Sequence, residues 1–299
     1  MTDTPLVVIG PGAIGGLVAA LLEKAGHPVT VVGRPTTIAQ VAEHGIAVES
    51  DRVGAWDVRP AASTEVPQLA SVVVAVKAEG LAAAAAQLAV AEPIEVLSLL
   101  NGVEHLDALR AAAPSARVVG GTIAGEVLRT SAAGDGPLTV RHKGQLLRVT
   151  APADAADLAA VRALQDTAAD VALGGTQAQV LWLKLRFLAP LALLTSRAEA
   201  GIGAALTRDP ADADALLAEI GAVATAEGVP TTGAELHGIL AGFPPAMRSS
   251  LQADVEAGSP GELDAIGGAV LRRGRAHGLA SPVLARTIEE IAAIATQRA

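Results

Sequence analysis

The stretch Leu6-Val-Val-Ile-Gly10-Pro-Gly12-Ala-Ile-Gly15-Gly16 decides how the chain is read. A short apolar run ends in glycines. The residues after it, Ala13 to Gly26, carry apolar side chains at helical spacing and stop at Gly, and Val29 to Val32 reads as a second strand. Strand, glycine turn, helix and strand within about 30 residues is the layout of a βαβ unit. The glycines follow the pattern G-x-G-x-x-G. In that pattern the first glycine permits a tight turn, the second lets a pyrophosphate approach the backbone, and the third lets the helix pack close to the sheet. The helix N-terminus then offers free N–H groups to the anion. Gly10, Pro11, Gly12, Ala13, Ile14 and Gly15 are therefore the expected dinucleotide cradle. A glycine turn that binds nothing is the plainer alternative.

The same alternation continues outward. Ser71 to Val76 is a nearly unbroken valine run, as in strands buried on both faces. Ala82–Ala91 reads as helix, Glu95–Leu100 as strand, Glu104–Ala113 as helix and Arg117–Ile123 as strand. Such alternation predicts a parallel sheet with helices on both faces. Leu138–Arg141 and Gln145–Val149 flank His142-Lys143-Gly144 and read as a hairpin. A helix from Asp154 to Ala168 and a strand Val171–Leu173 close this half. From Thr176 onward only helices are read: Gln177–Arg197, Ala211–Glu227, Thr232–Leu240, Met247–Ala257, Glu262–His277 and Pro282–Gln297. The expected fold class is α/β, with an N-terminal Rossmann-like doubly wound sheet over 1–175 and an all-α domain over 176–299.

Composition narrows the function. The chain has 299 residues, 51% hydrophobic and 18% charged, which is ample for packed cores. Only Trp56, Trp182, Phe187 and Phe243 are aromatic, so an aromatic stacking surface for single-stranded nucleic acid is nearly excluded. The net charge of −9 repels phosphate backbones, so no nucleic-acid partner is expected. With no cysteine there is no disulfide framework and no thiolate metal site, and no metal is expected. The longest apolar run, Phe187 to Leu194, is short of a membrane span. A cytoplasmic protein without a membrane partner is the expectation. A homodimer through the helical half is compatible with the sequence but not demanded by it.

Candidate chemistry follows from a few side chains. NAD sites carry an acid at the end of the second strand. Here Val32-Gly-Arg34-Pro-Thr-Thr37 has none until Glu43, and the Arg34 guanidinium suits a 2′-phosphate, so NADP(H) is expected. A solvated loop cation is the alternative for Arg34. Lys77 and Asn101 each follow a strand, at the rim where α/β ligands bind, or are an ordinary strand-end charge and a turn-forming Asn-Gly. Lysine occurs only at positions 24, 77, 143 and 184, against 18 arginines. Lys184 lies in Val180-Leu-Trp-Leu-Lys-Leu-Arg-Phe-Leu. Desolvation there would bring its pKa toward a value useful for giving up a proton, unless the head snorkels to water. Ser250 and Glu262 are candidate substrate hydrogen-bonding groups, or helix-terminal capping groups.

Taken together, Gly10–Gly15, Arg34, Val74-Ala-Val-Lys77, Leu100-Asn-Gly102, Trp182-Leu-Lys184 and Ser249-Ser250…Glu262 resemble the ketopantoate reductase (2-dehydropantoate 2-reductase) family over nearly the whole chain. The resemblance implies a Rossmann domain and a helical domain with NADPH and substrate in the cleft between them. It implies reduction of ketopantoate to pantoate, on the route to pantothenate and coenzyme A. The position matching Lys184 is the general acid, and that matching Glu262 binds substrate hydroxyl and cofactor. Asn101 and Lys77 match cofactor and substrate contacts, and Ser250 a substrate contact. Where well-characterised members carry two Asn on the lysine helix, this chain has Leu188 and Ala192. That departure keeps open a more apolar oxo acid or an imine as substrate, and beside catalysis a non-catalytic NADP-sensing role.

Overall fold

The computed structural model describes residues 4–131 and 136–299. The chain forms two compact units, Met1–Leu100 with His105–Val180, and Asn101–Glu104 with Leu181–Ala299. In place of one cut near 175, the helical unit also takes in the Asn101–Glu104 turn, whose side-chain partners lie far along the chain.

In chain order the first unit contains β1 (Leu6–Ile9), α1 (Ala13–Lys24), β2 (Val29–Val32), α2 (Pro35–His44), β3 (Ile46–Ser50), β4 (Gly54–Val58), β5 (Ala61–Ser63), β6 (Ser71–Val74), α3 (Leu81–Ala91), β7 (Glu95–Ser98), α4 (His105–Ala112), β8 (Arg117–Gly120), β9 (Thr122–Arg129), β10 (Leu138–Ala151), α5 (Ala159–Gln165) and β11 (Asp170–Leu173). Six strands make an all-parallel sheet in the order β5-β2-β1-β6-β7-β8. Its central strands are short β-branched runs, and every residue of β6 is buried, as a sheet covered on both faces requires. A second sheet joins β11, β10, β3 and β4, with β9 paired to β10. Helix α1 packs against strands of both sheets. Leu17 to Leu22 are therefore all buried, and the helix is apolar around its whole circumference. A Cβ on Gly16 would stand 3.0 Å from Leu138 and Val140, so glycine lets the second sheet close onto α1.

This second sheet corrects the sequence reading. The hairpin expected around His142-Lys143-Gly144 is one continuous strand, β10, with a register shift between Lys143 and Arg148. Gly144 has φ +74 and so looks like a turn, but it serves a bulge. The His142 ring spans the bulge, with Nε2 2.9 Å from the Leu146 carbonyl and Nδ1 2.8 Å from Ser50 Oγ. Arg117–Ile123 divides at Gly121: β8 ends the first sheet and β9 enters the second. Strands β3, β4 and β5 carry no strong local signal, and pairings such as Leu138↔Ile46 hold the second sheet together across distant segments.

The second unit is built on α6 (Gln177–Ala198) from Leu181 onward, α7 (Ile202–Arg208), α8 (Pro210–Ala226), α9 (Gly233–Ala241), α10 (Ser250–Glu256), α11 (Ala269–Ala276) and α12 (Pro282–Arg298). By length and hydropathy α6 meets the measure of a membrane span. In the fold it is a core helix, with Trp182, Leu185, Ala189 and Leu193 buried. Helix α7 escapes the sequence reading because Gly201 and Gly203 look like loop residues. Both are needed for close approach to Pro245 and Ala246. The helix expected over Glu262–His277 instead begins as a π-turn, Asp264–Gly268, which runs into α11. Such irregular turns recur at functional sites.

Candidate active site

In the first unit the sheet order reverses between the neighbours β1 and β6: one series runs outward through β2 to β5, the other through β7 to β8. Ligands of open α/β sheets bind beyond the carboxyl ends of strands at such a switch. The glycine loop leaves β1 there, and Lys77 is exposed just past β6. Gly10 holds φ +91, and a Cβ on it would overlap the Val76 side chain. A Cβ on Gly15 would overlap the Gly10 carbonyl oxygen. Gly12 is different: the nearest atom to its Cβ position is Gly10 O, 4.0 Å away. Packing thus demands Gly10 and Gly15, while Gly12 borders open space at the N-terminus of α1. Among the described residues no side chain caps that terminus, and no carboxylate lies in its first turn. That arrangement leaves the positive end of the helix dipole uncompensated by the helix's own residues, a setting that suits a pyrophosphate.

Arg34 is the N-cap of α2, directly after β2. Gly33 lies against the glycine loop, where its Cβ would be 2.8 Å from Pro11 Cδ. A second cation, which the sequence reading misses, stands nearby. Arg129, at the end of β9, has its pKa lowered by burial and by the charge of Arg34. Its Nη2 donates to Gln40 Oε1 at 3.0 Å, while Nε is buried without a hydrogen-bond partner among the described residues. Two guanidiniums that feel each other's charge, with a donor left over, are of the chemistry a dianion would take. Only strand pairing brings Arg129 here, so no local sequence signal announces it.

The second unit holds a three-residue chain. Lys184, early in α6, is half-buried, and its Nζ donates to Asn101 Oδ1 at 2.8 Å. Asn101 Nδ2 donates to Glu262 Oε2 at 2.9 Å, and Glu262 is buried. The two bonds fix the amide orientation, oxygen to the ammonium and nitrogen to the carboxylate. Burial lowers the Lys184 pKa to about 8, against the upward pull of the Glu262 charge. Gly102 explains why Asn101 is followed by glycine: it has φ +89, and a Cβ would overlap the Ala265 carbonyl oxygen of the π-turn.

Sequence reasoning names all three members of this chain but not their order, in which the amide lies between the two charges. Ser250 stands apart. It is the exposed first residue of α10, and among the described residues no hydrogen bond joins it to Lys184, Asn101 or Glu262. Its neighbour Ser249 caps α10 by accepting from Gln252 N and shares a 2.8 Å hydrogen bond with Thr195 Oγ1. Along α6 from Lys184 the next turns carry Phe187, Leu188, Leu191 and Ala192. Phe187 meets Phe243 edge to face, with ring centroids 6.2 Å apart, and both rings are partly exposed.

Both halves match known families. Residues 6–153 match the family model described as ketopantoate reductase PanE/ApbA, and residues 177–295 the model for its C-terminal part. A 2-dehydropantoate 2-reductase of Caulobacter vibrioides is 31% identical over 304 residues, 95% of this chain and 97% of the relative. The crystal structure of a PanE/ApbA family ketopantoate reductase from Ralstonia eutropha is similar with a TM-score of 0.85 at 26% identity, covering 98% of this chain and 99% of that one. D-mandelate dehydrogenase in complex with NADH shares the fold, with a TM-score of 0.82 at 19% identity, covering 99% of this chain and 100% of that one.

Proposed function

This chain belongs to the ketopantoate reductase PanE/ApbA family, oxidoreductases acting on a CH–OH group, and from that premise we propose that it reduces ketopantoate to pantoate with NADPH, Lys184 giving the proton. The observation that carries the reading is the Lys184–Asn101–Glu262 hydrogen-bonded chain. When bound, the reduced nicotinamide supplies a hydride to the ketone carbon. The residues of the chain do the rest. Gly12 and the first turn of α1 receive the pyrophosphate, with Lys77 at the same rim. Lys184 Nζ, as ammonium, polarises the ketone oxygen and protonates it as the alkoxide develops. Asn101 aims Nζ through its amide oxygen, and Glu262 fixes the amide and accepts from a substrate hydroxyl. Ser250, exposed at the start of α10, offers a hydroxyl to the same substrate.

Arg34 and Arg129 support NADPH over NADH. Arg34→Ala is expected to weaken NADPH binding by about 10- to 100-fold, the worth of a charge-assisted bidentate pair, and to leave NADH unchanged. Titrating both nucleotides against the variant checks this; equal losses for the two would remove the 2′-phosphate argument.

Partly exposed Phe187 and Leu188, one turn along α6 from Lys184, favour a second reading, in which the substrate is a 2-oxo acid with an apolar tail; Leu191 and Ala192 are buried in the helical core and do not bear on it. Loss of NADPH absorbance with ketopantoate, 3-methyl-2-oxobutanoate and phenylglyoxylate separates the two. A site built to bond the terminal hydroxyl rejects an analogue lacking it far more strongly than an apolar pocket rejects an added hydroxyl. The highest kcat/KM is expected for ketopantoate. A higher value for either hydroxyl-free acid would transfer the assignment to the second reading, and no oxidation with any 2-oxo acid would overturn both.

A further inference from the structure

We infer that Glu104, Arg272 and Asp264 form a clamp that positions Asn101, and through it the ammonium of Lys184, for proton donation. The inference rests on Lys184 being the donor. Arg272, on α11, is engaged from two sides. Its Nε lies 3.1 and 3.0 Å from the two carboxylate oxygens of Glu104, and its Nη2 lies 2.7 Å from Glu104 Oε2. Its Nη1 and Nη2 donate to the Asp264 carboxylate at 2.6 and 3.0 Å, and Nη2 also reaches the Asp264 carbonyl at 3.3 Å. Glu104 ends the Asn101–Glu104 turn. Asp264 opens the π-turn, two residues after Glu262. One guanidinium therefore ties the segment carrying Asn101 to the segment carrying Glu262.

The turn needs such a tie. Gly102 holds a positive φ and has no side chain to anchor it, so the placement of Asn101 depends on tertiary contacts. Gly102 against Ala265 and Val103 against the helical core supply two contacts, and the clamp supplies a third, at the far end of the turn. A stability role accounts poorly for the arrangement. The side chains of Arg272, Glu104 and Asp264 are 43%, 38% and 82% exposed, and ion pairs so open to solvent contribute little to stability. What a guanidinium held by two carboxylates adds is geometric definition. Asn101 must satisfy two opposed hydrogen bonds at once, and small displacements at a reacting group cost far more in rate than in stability.

The test uses Glu104→Gln and, as the conservative partner, Arg272→Lys in the full chain, assayed for reduction with NADPH. Glu104→Gln is expected to lower kcat about 10-fold, as for a sub-ångström misplacement, with the KM for NADPH and the Tm unchanged. The alkaline fall in rate moves to lower pH, because an ammonium that loses its hold on Asn101 Oδ1 deprotonates more easily. In an Asn101→Ala background Glu104→Gln adds no further loss, since both act on one group. Arg272→Lys, which keeps charge but not the fork, lowers kcat in the same direction. Wild-type kcat and pH profile in Glu104→Gln, or full multiplicativity with Asn101→Ala, would overturn the clamp. Lys184→Ala run alongside separates the two claims: if it keeps turnover the donor reading fails, and if it alone loses turnover only the clamp fails.

Discussion

Lys184→Ala is expected to lower kcat by about 10²–10⁴-fold, the range for loss of a positioned general acid, while NADPH still binds. The argument is electrostatic. An ordinary lysine stays protonated to a high pH and is a poor donor. Burial in α6 lowers this one to about 8, while the Glu262 charge resists the shift. At neutral pH the group is still an ammonium, yet it releases its proton more readily than a surface lysine. The sign of the pH dependence follows. The donor is the protonated form, present below about pH 8, so the chemical step is flat below that pH and falls about tenfold per unit above it. Single-turnover rates between pH 6 and 10 check both statements. A variant that reduces substrate at the wild-type rate, or a wild-type profile still flat at pH 10, would remove Lys184 from the mechanism.

Gly15→Val and Gly12→Ala are expected to fail in different ways. At Gly15 the obstacle to a side chain is the Gly10 carbonyl oxygen, which belongs to the backbone and cannot swing away. The loss is placed at about 3 kcal/mol, the upper end for overpacking. For a unit of this size that lowers Tm by about 6–12 °C. Gly12 has φ −90 and only Gly10 O near its Cβ position, at 4.0 Å. Gly12→Ala therefore folds within about 1 kcal/mol of wild type. Its methyl group occupies the space over which a pyrophosphate would lie, so NADPH binding weakens by about 100-fold, the equivalent of losing two hydrogen bonds to a charged group. Thermal unfolding and nucleotide titration of the two variants separate the roles. Gly12→Ala binding NADPH as tightly as wild type would show that the open space is not the nucleotide site.

What was legible in the sequence was local. The β1-α1-β2 unit could be read because its glycines answer contacts within one turn, such as Gly15 against Gly10. The apolar runs of β6 and β7 could be read because burial on both faces leaves a continuous signature. The hairpin reading of β10 failed because the positive φ of Gly144 serves a bulge as well as a turn, and which of the two depends on β9 across the ladder. The helix expected to run unbroken from Glu262 misses the π-turn over Asp264–Gly268 because a π-turn breaks no local propensity rule.

The sequence alone determined the glycine turn between β1 and α1, an α/β part followed by a helical part, and the residue types proposed to bind phosphate and to give a proton. Each rests on interactions between near neighbours or on composition. Only the tertiary structure decided that Asn101, at the end of a sheet strand, belongs to the helical unit between Lys184 and Glu262. It alone brought Arg129 to Arg34 and joined Glu104 to Asp264 through one guanidinium. These pairings join residues far apart in the chain, and their free energy depends on distance and desolvation, which spacing along a sequence does not encode.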